Sequence, residues 1–435
     1  MFVKSVHGTA ALASSFVAPK DLDISDVSSI RSVASTLAYG TMSYYTGNIT
    51  NTTETLAVFP APVYWWESGA CWGSMLDYQH YTGDDSYHDV ITQALLSQVG
   101  PNFDYMVPRH QGDEGNDDQA FWSFTVLEAA ERNLPQPDDS VPSWLTMAEN
   151  IWNSMVVRWN TTSCGGGLAW QIFENNPNGM TYKNSVSNGG LFQLSARLAR
   201  ATGNQTYQDW AQKIWNWSES QRRLPEGQPG LLQLLQGIYL YGAAVLYNHT
   251  GGDATWGDRT ARLLKAAGSY FGPFANATGV MFEHACETVG KCNTDMLSFK
   301  AYLARFMWAT TQMMPSTRPQ VQAVLNPSAA AAGKACSGGA NGTVCGQRWY
   351  VGGFDGSTGL GQQMSALEVV QGLLVQEATP PFRAGEIQHV KGMIPAPAPA
   401  PNPDQPTSPD PHEPPAPSLV RDRTVVLGCL LLSGN

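Results

Sequence analysis

Thr202-Gly203-Asn204-Gln205-Thr206-Tyr207-Gln208-Asp209 repeats, at identical offsets, the pattern of Thr82-Gly83-Asp84-Asp85-Ser86-Tyr87-His88-Asp89. Thr250-Gly251, followed by Trp256 and Asp258, is a third copy with one extra residue. In each copy the glycine suits a left-handed residue that ends one helix, and the short polar turn launches the next. Each copy therefore marks a helix hairpin. Outward from these turns, the apolar spacing is helical from about Ile24 to Glu377. It predicts helices over 30–45, 65–81, 87–99, 118–132, 143–159, 189–201, 207–222, 231–247, 254–270, 295–311 and 362–376. Few segments alternate as strands do. Helices paired this way in one unit of about 360 residues predict an all-α fold of hairpins closed into an α/α toroid. A plain α-solenoid would show a stricter short period, which is not visible.

Composition narrows the function. The chain has 435 residues, of which 43% are apolar, so it can bury a large core. Only 14% are charged, against roughly 25% in an average soluble protein. With 14 Trp, 16 Tyr and 15 Phe, the chain suits neutral, ring-shaped ligands. The net charge of −11 argues against a nucleic-acid partner, because phosphate contacts need clustered Lys and Arg. No apolar run is long enough to span a bilayer.

Eight Asn-X-Ser/Thr sequons begin at Asn48, Asn51, Asn160, Asn204, Asn216, Asn248, Asn276 and Asn341, which points to the secretory route. The alternative is that Asn and Thr are simply abundant. Of seven cysteines, Cys429 lies in a terminal apolar stretch, leaving Cys71, Cys164, Cys286, Cys292, Cys336 and Cys345. Proximity pairs Cys286 with Cys292 and Cys336 with Cys345, leaving Cys71–Cys164 as a long-range bridge among fifteen possible connectivities. No C-x-x-C or His-rich spacing suggests a metal, and nothing implies a cofactor.

The ends read differently from the body. Residues 1–20 form a weak signal segment, and 21–390 form the predicted catalytic domain. Residues 391–417 are a Pro/Ala-rich extended linker. Residues 418–435 have the order of a short glycosylphosphatidylinositol-anchor signal, against the alternative of a solvated tail.

The densest polar cluster is Gly112-Asp113-Glu114-Gly115-Asn116-Asp117-Asp118-Gln119. Read structurally, Asn116 is an N-cap with Gln119 closing a capping box, and the two aspartates complement the helix dipole. Read chemically, consecutive carboxylates at a helix start point to different sides and can flank a bond at the spacing of retaining glycosidases. The helix start favours an ionised nucleophile, and the neighbouring charge raises its partner. Trp65, Trp66, Trp72, Trp122 and Trp170 lie near candidate site loops, where aromatic faces can stack on sugar rings, although most helical tryptophans are core. Neither a Gly-X-Ser-X-Gly elbow nor ligand-spaced histidines are present.

These residues also carry a resemblance. Ala38-Tyr39-Gly40 with Tyr44-Tyr45, Trp65-Trp66-Glu67-Ser68-Gly69-Ala70, Gly115 to Trp122, Gly165-Gly166-Gly167-Leu168, Lys183-Asn184 with Asn188-Gly189-Gly190, Phe299-Lys300 and the Cys336…Cys345 loop stand in family order. From about Asp21 to Glu377 the chain resembles glycoside hydrolase family 76, in particular the fungal cell-wall α-1,6-mannanase-like proteins. The resemblance implies an (α/α)6 toroid and endo attack on α-1,6-mannosidic bonds with retention. Carried over, Asp117 is the nucleophile and Asp118 the general acid/base. Trp65, Trp66, Trp122, Lys183, Asn184, Asn188 and Lys300 are implied substrate contacts. The resemblance further implies an α-1,6-mannan or glycosylphosphatidylinositol core glycan as donor and a β-glucan as acceptor, with the enzyme monomeric at the cell surface or wall. The weak leader and short tail depart from the family pattern. Two alternatives are a non-catalytic mannan-binding wall protein and a toroid acting on a uronide, which would want more basic residues in the site loops.

Overall fold

The computed structural model describes residues 16–112, 114–136, 138–174, 177–221 and 233–388. The linker, the anchor signal, Cys429 and most of the leader lie outside them. Among the described residues the elements are α1 (Val27–Met42), α2 (Gly47–Thr50), α3 (Trp65–Thr82), α4 (His88–Ser97), α5 (Asn116–Glu131), α6 (Trp144–Val156) and α7 (Pro177–Thr181). They continue with α8 (Ser185–Thr202), α9 (Gln205–Ser220), α10 (Gln233–His249), α11 (Ala254–Ala267), α12 (Thr294–Met313), α13 (Arg318–Ala335) and α14 (Leu360–Gln371). β pairing is limited, among the described residues, to isolated bridges.

Six helices close a ring: α3 packs on α5, α5 on α8, α8 on α10, α10 on α12, α12 on α14, and α14 back on α3. Six more lie outside it, α1, α4, α6, α9, α11 and α13, each packed on one or two ring helices. This is the expected (α/α)6 toroid. Burial separates the two layers. All residues of α10 from Gln233 to Leu246 are buried, whereas α9 buries a stripe of Tyr207, Trp210, Ala211, Ile214, Trp215, Trp217 and Ser218. Ring helices have neighbours on every side, so their sequences carry little amphipathic signal.

The repeated turns join a ring helix to an outer one. Gly83 and Gly203 are left-handed at φ 76° and 72°, and their N–H groups bond Gln79 O and Ala199 O. Thr82, Thr202 and Thr250 each donate a hydroxyl to the carbonyl four residues back, at 2.6 to 2.7 Å. Each hydroxyl also accepts an N–H from the turn beyond it. The extra residue of the third copy is Gly252, which shares the cap with the left-handed Gly251: Gly251 N–H bonds Asn248 O and Gly252 N–H bonds Tyr247 O.

The sequence reading missed α13. Pro319 lies in its first turn, where a missing N–H costs nothing, but Pro327 is interior and obscures the pattern. Cys286–Cys292 and Cys336–Cys345 are bridged as expected. The expected Cys71–Cys164 bridge does not form. Cys71 is an unpaired thiol, fully buried on α3, and burial pushes its pKa up. It behaves as a small core hydrophobe.

Candidate active site

Five of the six ring helices present their first turns to one cleft of about 680 Å³. Its walls hold Tyr64, Trp65 and Trp66 from the start of α3, Asp117 and Asp118 from α5, Asn184 and Val186 from α8, Leu234 from α10, and Asp295 and Phe299 from α12. His110, Glu114, Trp170, Gln171 and Tyr182 come from loops.

The first turn of α5 differs from the expected cap. Gly115 is the N-cap residue, and Asp118 reaches back so that its Oδ2 accepts the Gly115 N–H at 2.6 Å. Asn116, the expected cap, instead donates its N–H to Trp170 O at 2.8 Å and Nδ2–H to Ala169 O at 3.0 Å. Its Oδ1 accepts from Arg158 Nε at 2.9 Å. Asp117 Oδ1 accepts the Asp118 N–H at 3.2 Å, and Asp117 Oδ2 accepts from Asn184 Nδ2 at 3.1 Å. A methyl group built on Gly115 would clash with Asp117 Oδ1 and stand 3.0 Å from Asp118 Oδ2. Those two oxygens therefore lie within roughly 6 Å of each other, near the carboxyl spacing of retaining glycosidases.

The electrostatics reverse one expectation. Asp117 is not held down by the helix start. Burial raises it to about 6, Asn184 and backbone N–H donors pull it down, and Asp295 pushes it further up. Asp295 belongs to α12, on the opposite side of the ring from α5. It is raised by burial, with the Trp66 side chain opposing as a donor. Behind it, Glu67 Oε2 accepts the Tyr64 N–H at 2.8 Å, and burial brings that carboxyl to about 7.

Trp65 and Trp66 stand where sugar-stacking residues belong. Trp65 stacks on His110 at 4.8 Å and donates Nε1–H to Gln98, while Trp66 packs against Phe121 at 4.5 Å. Trp170 is partly exposed on the same wall. The other expected contacts are elsewhere. Trp122 and Trp72 are fully buried in the core. Lys183 points away from the cleft, its Nζ donating to Asn160 O, Ser163 O and Gly166 O at 2.6, 2.9 and 2.7 Å. Asn188 grips Leu168 by both amide atoms, at 2.8 and 3.1 Å. Lys300 is fully buried, paired with Glu287 at 2.8 Å, bonded to Gln347 O and lying 4.2 Å over Trp349. Burial of an ammonium is tolerated at both lysines because carbonyls or a carboxylate replace its water.

Lys183 and Asn188 hold the glycine-rich loop. Gly166 and Gly167 have φ of 147° and 98°, and a Cβ at either would strike Trp159 or Trp217. Past these glycines the chain is knitted on both sides. Trp170 N–H bonds Tyr182 O at 2.6 Å, Gln171 N–H bonds Gly179 O at 3.2 Å, and Gln171 bridges to Gly115. Sequence reasoning missed Asp295, Glu67 and His110. Asp295 sits in the first turn of a correctly expected helix, which was the available signal.

Of the sequon asparagines, Asn204 is half-buried and Asn48, Asn51, Asn160, Asn216, Asn248, Asn276 and Asn341 are exposed. Asn204 caps α9, and the Asn248 amide is bonded to Arg200 and Met313.

Comparisons with known proteins match both the sequence and the overall fold. The family described as Glycosyl hydrolase family 76 matches residues 29–385. Mannan endo-1,6-alpha-mannosidase DCW1 of Saccharomyces cerevisiae is 43% identical over 404 residues, covering 88% of each chain. The crystal structure of Dfg5 from Chaetomium thermophilum in complex with glucosamine is 38% identical, has a TM-score of 0.78, and covers 83% of this chain and 94% of its own. An inactive alpha-1,6-mannanase variant of Salegentibacter, substituted at two consecutive aspartates and bound to alpha-1,6-mannotriose, shares the fold. It has a TM-score of 0.62 and 17% identity, covering 79% of this chain and 99% of its own.

Proposed function

The chain belongs to glycoside hydrolase family 76, and from that premise we propose that it is a retaining mannan endo-1,6-α-mannosidase that also transfers the cleaved glycan to a sugar acceptor. The observation that carries this reading is the Asp117–Asp118 pair at the head of α5, with an oxygen of each within roughly 6 Å of the other, near the spacing of retaining glycosidases. A carboxylate of Asp117 attacks the anomeric carbon of the mannosyl residue. The glycosidic C–O bond breaks, and Asp118 delivers a proton to the departing oxygen. The product is a mannosyl ester of Asp117. Asp118 then removes a proton from a water or an acceptor hydroxyl, whose oxygen attacks the same carbon and releases Asp117. Asn184, donating to Asp117 Oδ2, orients the nucleophile and favours its ionised form.

Trp65, Trp66 and Trp170 supply flat surfaces for mannose rings. The donor is an α-1,6-mannan or the mannose core of a glycosylphosphatidylinositol anchor, and the acceptor a β-glucan of the wall. The Cys286–Cys292 and Cys336–Cys345 disulfides and exposed sequon asparagines support passage through the secretory pathway.

Mass spectrometry of products from an α-1,6-mannooligosaccharide, with and without a β-glucan oligosaccharide, tests both halves. Shorter mannosides alone support hydrolysis without transfer. A mannose–glucan adduct supports the full reading. Tight binding with no product at any pH overturns catalysis in favour of a mannan-binding protein. A mechanism-based inactivator that labelled Asp118 instead of Asp117 would reverse the two roles.

A further inference from the structure

We propose that Lys183 is a positioning residue for the reaction: its ammonium, caged by three main-chain carbonyls, pins the 160–171 loop to the start of α8 and so holds the Asn184 amide on Asp117. This inference rests on the proposed role of Asp117. Lys183 and Asn184 are consecutive, but their side chains go to opposite sides of one wall. Lys183 lines a separate groove of about 880 Å³ together with Arg158, Trp159 and Thr162, whereas Asn184 lines the catalytic cleft. Lys183 is 2% exposed, and Asn160 O, Ser163 O and Gly166 O all lie on the 160–167 loop that the Asn160 N–H closes on Gly167 O.

The wall is fixed at three further points. Asn184 Oδ1 accepts the Ser187 N–H at 2.8 Å, which makes Asn184 the N-cap of α8 as well as the donor to Asp117. Asn188 Nδ2 donates to Asn184 O at 2.8 Å and to Leu168 O, tying cap and loop together. Asn116 in turn binds that loop at Ala169 O and Trp170 O, one residue before Asp117. An unanchored loop would free both the cap and the first turn of α5. An amide moved by about 1 Å at this distance ceases to be a hydrogen-bond donor. No part of Lys183 needs to touch the sugar.

The test compares Lys183→Met, Asn184→Ala and the double variant with the wild type on α-1,6-mannotetraose, reading kcat, KM and the acid limb of kcat/KM. The titratable groups around Asp117 are unsubstituted in all three variants: Asp118 on α5, Asp295 from α12, and Glu114, His110 and the Tyr64 and Tyr182 phenols around the cleft. Asn184 lowers the Asp117 pKa, so its removal moves the acid limb to higher pH. Lys183→Met is expected to move the limb the same way and to lower kcat by roughly tenfold or more, with KM changed far less. The double variant should match Asn184→Ala, because both substitutions remove one contact.

An additive double variant would mean that the Lys183 charge acts directly, and would overturn the proposal. So would a folded Lys183→Met variant with wild-type kcat and limb. If Lys183→Met does not fold, Lys183→Arg keeps the charge but cannot place donors on all three carbonyls, and an unshifted limb in that variant counts against the anchor. A crystal structure of either variant gives an answer independent of turnover, which separates this inference from the assignment of the substrate. Asn184 Nδ2 should stand beyond hydrogen-bond reach of Asp117, and an unchanged 3.1 Å contact would reject the role.

Discussion

Helix α5 carries acidic residues at both ends, and the two ends treat them in opposite ways. At the cleft, Asp117 and Asp118 share a wall with Glu114 and face Asp295, and among the described residues no Lys or Arg lines that wall. Roughly 16–21 Å further along the same helix, by its rise per residue, Glu128 and Glu131 enter a buried ion lattice to which α3, α8, α12 and α14 also contribute. Arg197 pairs with Glu131 at 2.7 Å, Arg132 with Glu128 at 2.5 Å and with Asp77, and Arg305 with Asp77 at 2.8 Å and with Glu128. Burial alone therefore does not make a carboxylate reactive. Asp77 is fully buried and yet lowered, because two guanidinium groups outweigh its desolvation. Asp117 is raised because only amide and backbone donors oppose the same cost. The lattice fastens the ring where the cleft leaves it open.

The largest effect should come from the unpaired end. Asp117→Asn or Asp118→Asn should lower kcat by roughly 10²–10⁴ or more. The Asp117→Asn protein should nonetheless melt no lower than the wild type, since a raised, buried acid is replaced by a neutral amide. Loss of activity accompanied by a collapse in Tm would mean that the pair is a cap and no more.

Arg305→Met should do the reverse. It removes one of the two guanidinium groups beside Asp77 and Glu128, leaving Arg132 alone against both, and should cost about 3 kcal/mol, read from urea unfolding, with kcat per folded molecule unchanged. A fall in kcat without a fall in stability would show that the two ends are coupled.

Next in size is the pH dependence of stability. Burial raises Glu67, Glu283 and Glu368 to about 7, above their ordinary 4.5. The folded chain then binds protons that the unfolded chain has released. The stability these groups contribute is fully present below about 4.5 and is lost as pH rises through 7. His80 is lowered to about 4 and works the other way, but only below its ordinary 6.5. Calorimetric Tm should therefore fall between about pH 6.5 and 8, and a flat or rising Tm there would contradict the assignment. The smallest expected effect is at the cleft: Asp295→Asn removes the charge that pushes Asp117 up, so the acid limb of kcat/KM should move to lower pH. An upward shift or none would break the link between the two sides of the ring.

Much of this was legible in the chain itself. Thr82-Gly83 and Thr202-Gly203 predicted real ring-to-outer hairpins, because a left-handed glycine cap and a threonine hydroxyl satisfy the last carbonyls of a helix locally. The aspartate pair and the two short disulfides were also visible, being contacts between neighbours in sequence. Where α13 was missed, Pro327 masked a helix that packing on α14 and α12 sustains.

Contacts that cross the ring were not legible. Nothing local distinguishes Cys71, a buried thiol, from a bridge-forming one. Nor does anything local tell Lys183 and Lys300 apart from sugar-binding lysines, since a caged ammonium is defined by carbonyls 17 to 47 positions away. Asp295 acquires its place opposite Asp117 only when α14 closes on α3. Sequence alone determined most of the helices, the repeated turns and the carboxylate pair, because hydrogen bonds within a few residues decide those. The tertiary structure decided which charges are paired and which remain to react, because desolvation and Coulomb energy depend on every helix of the ring at once.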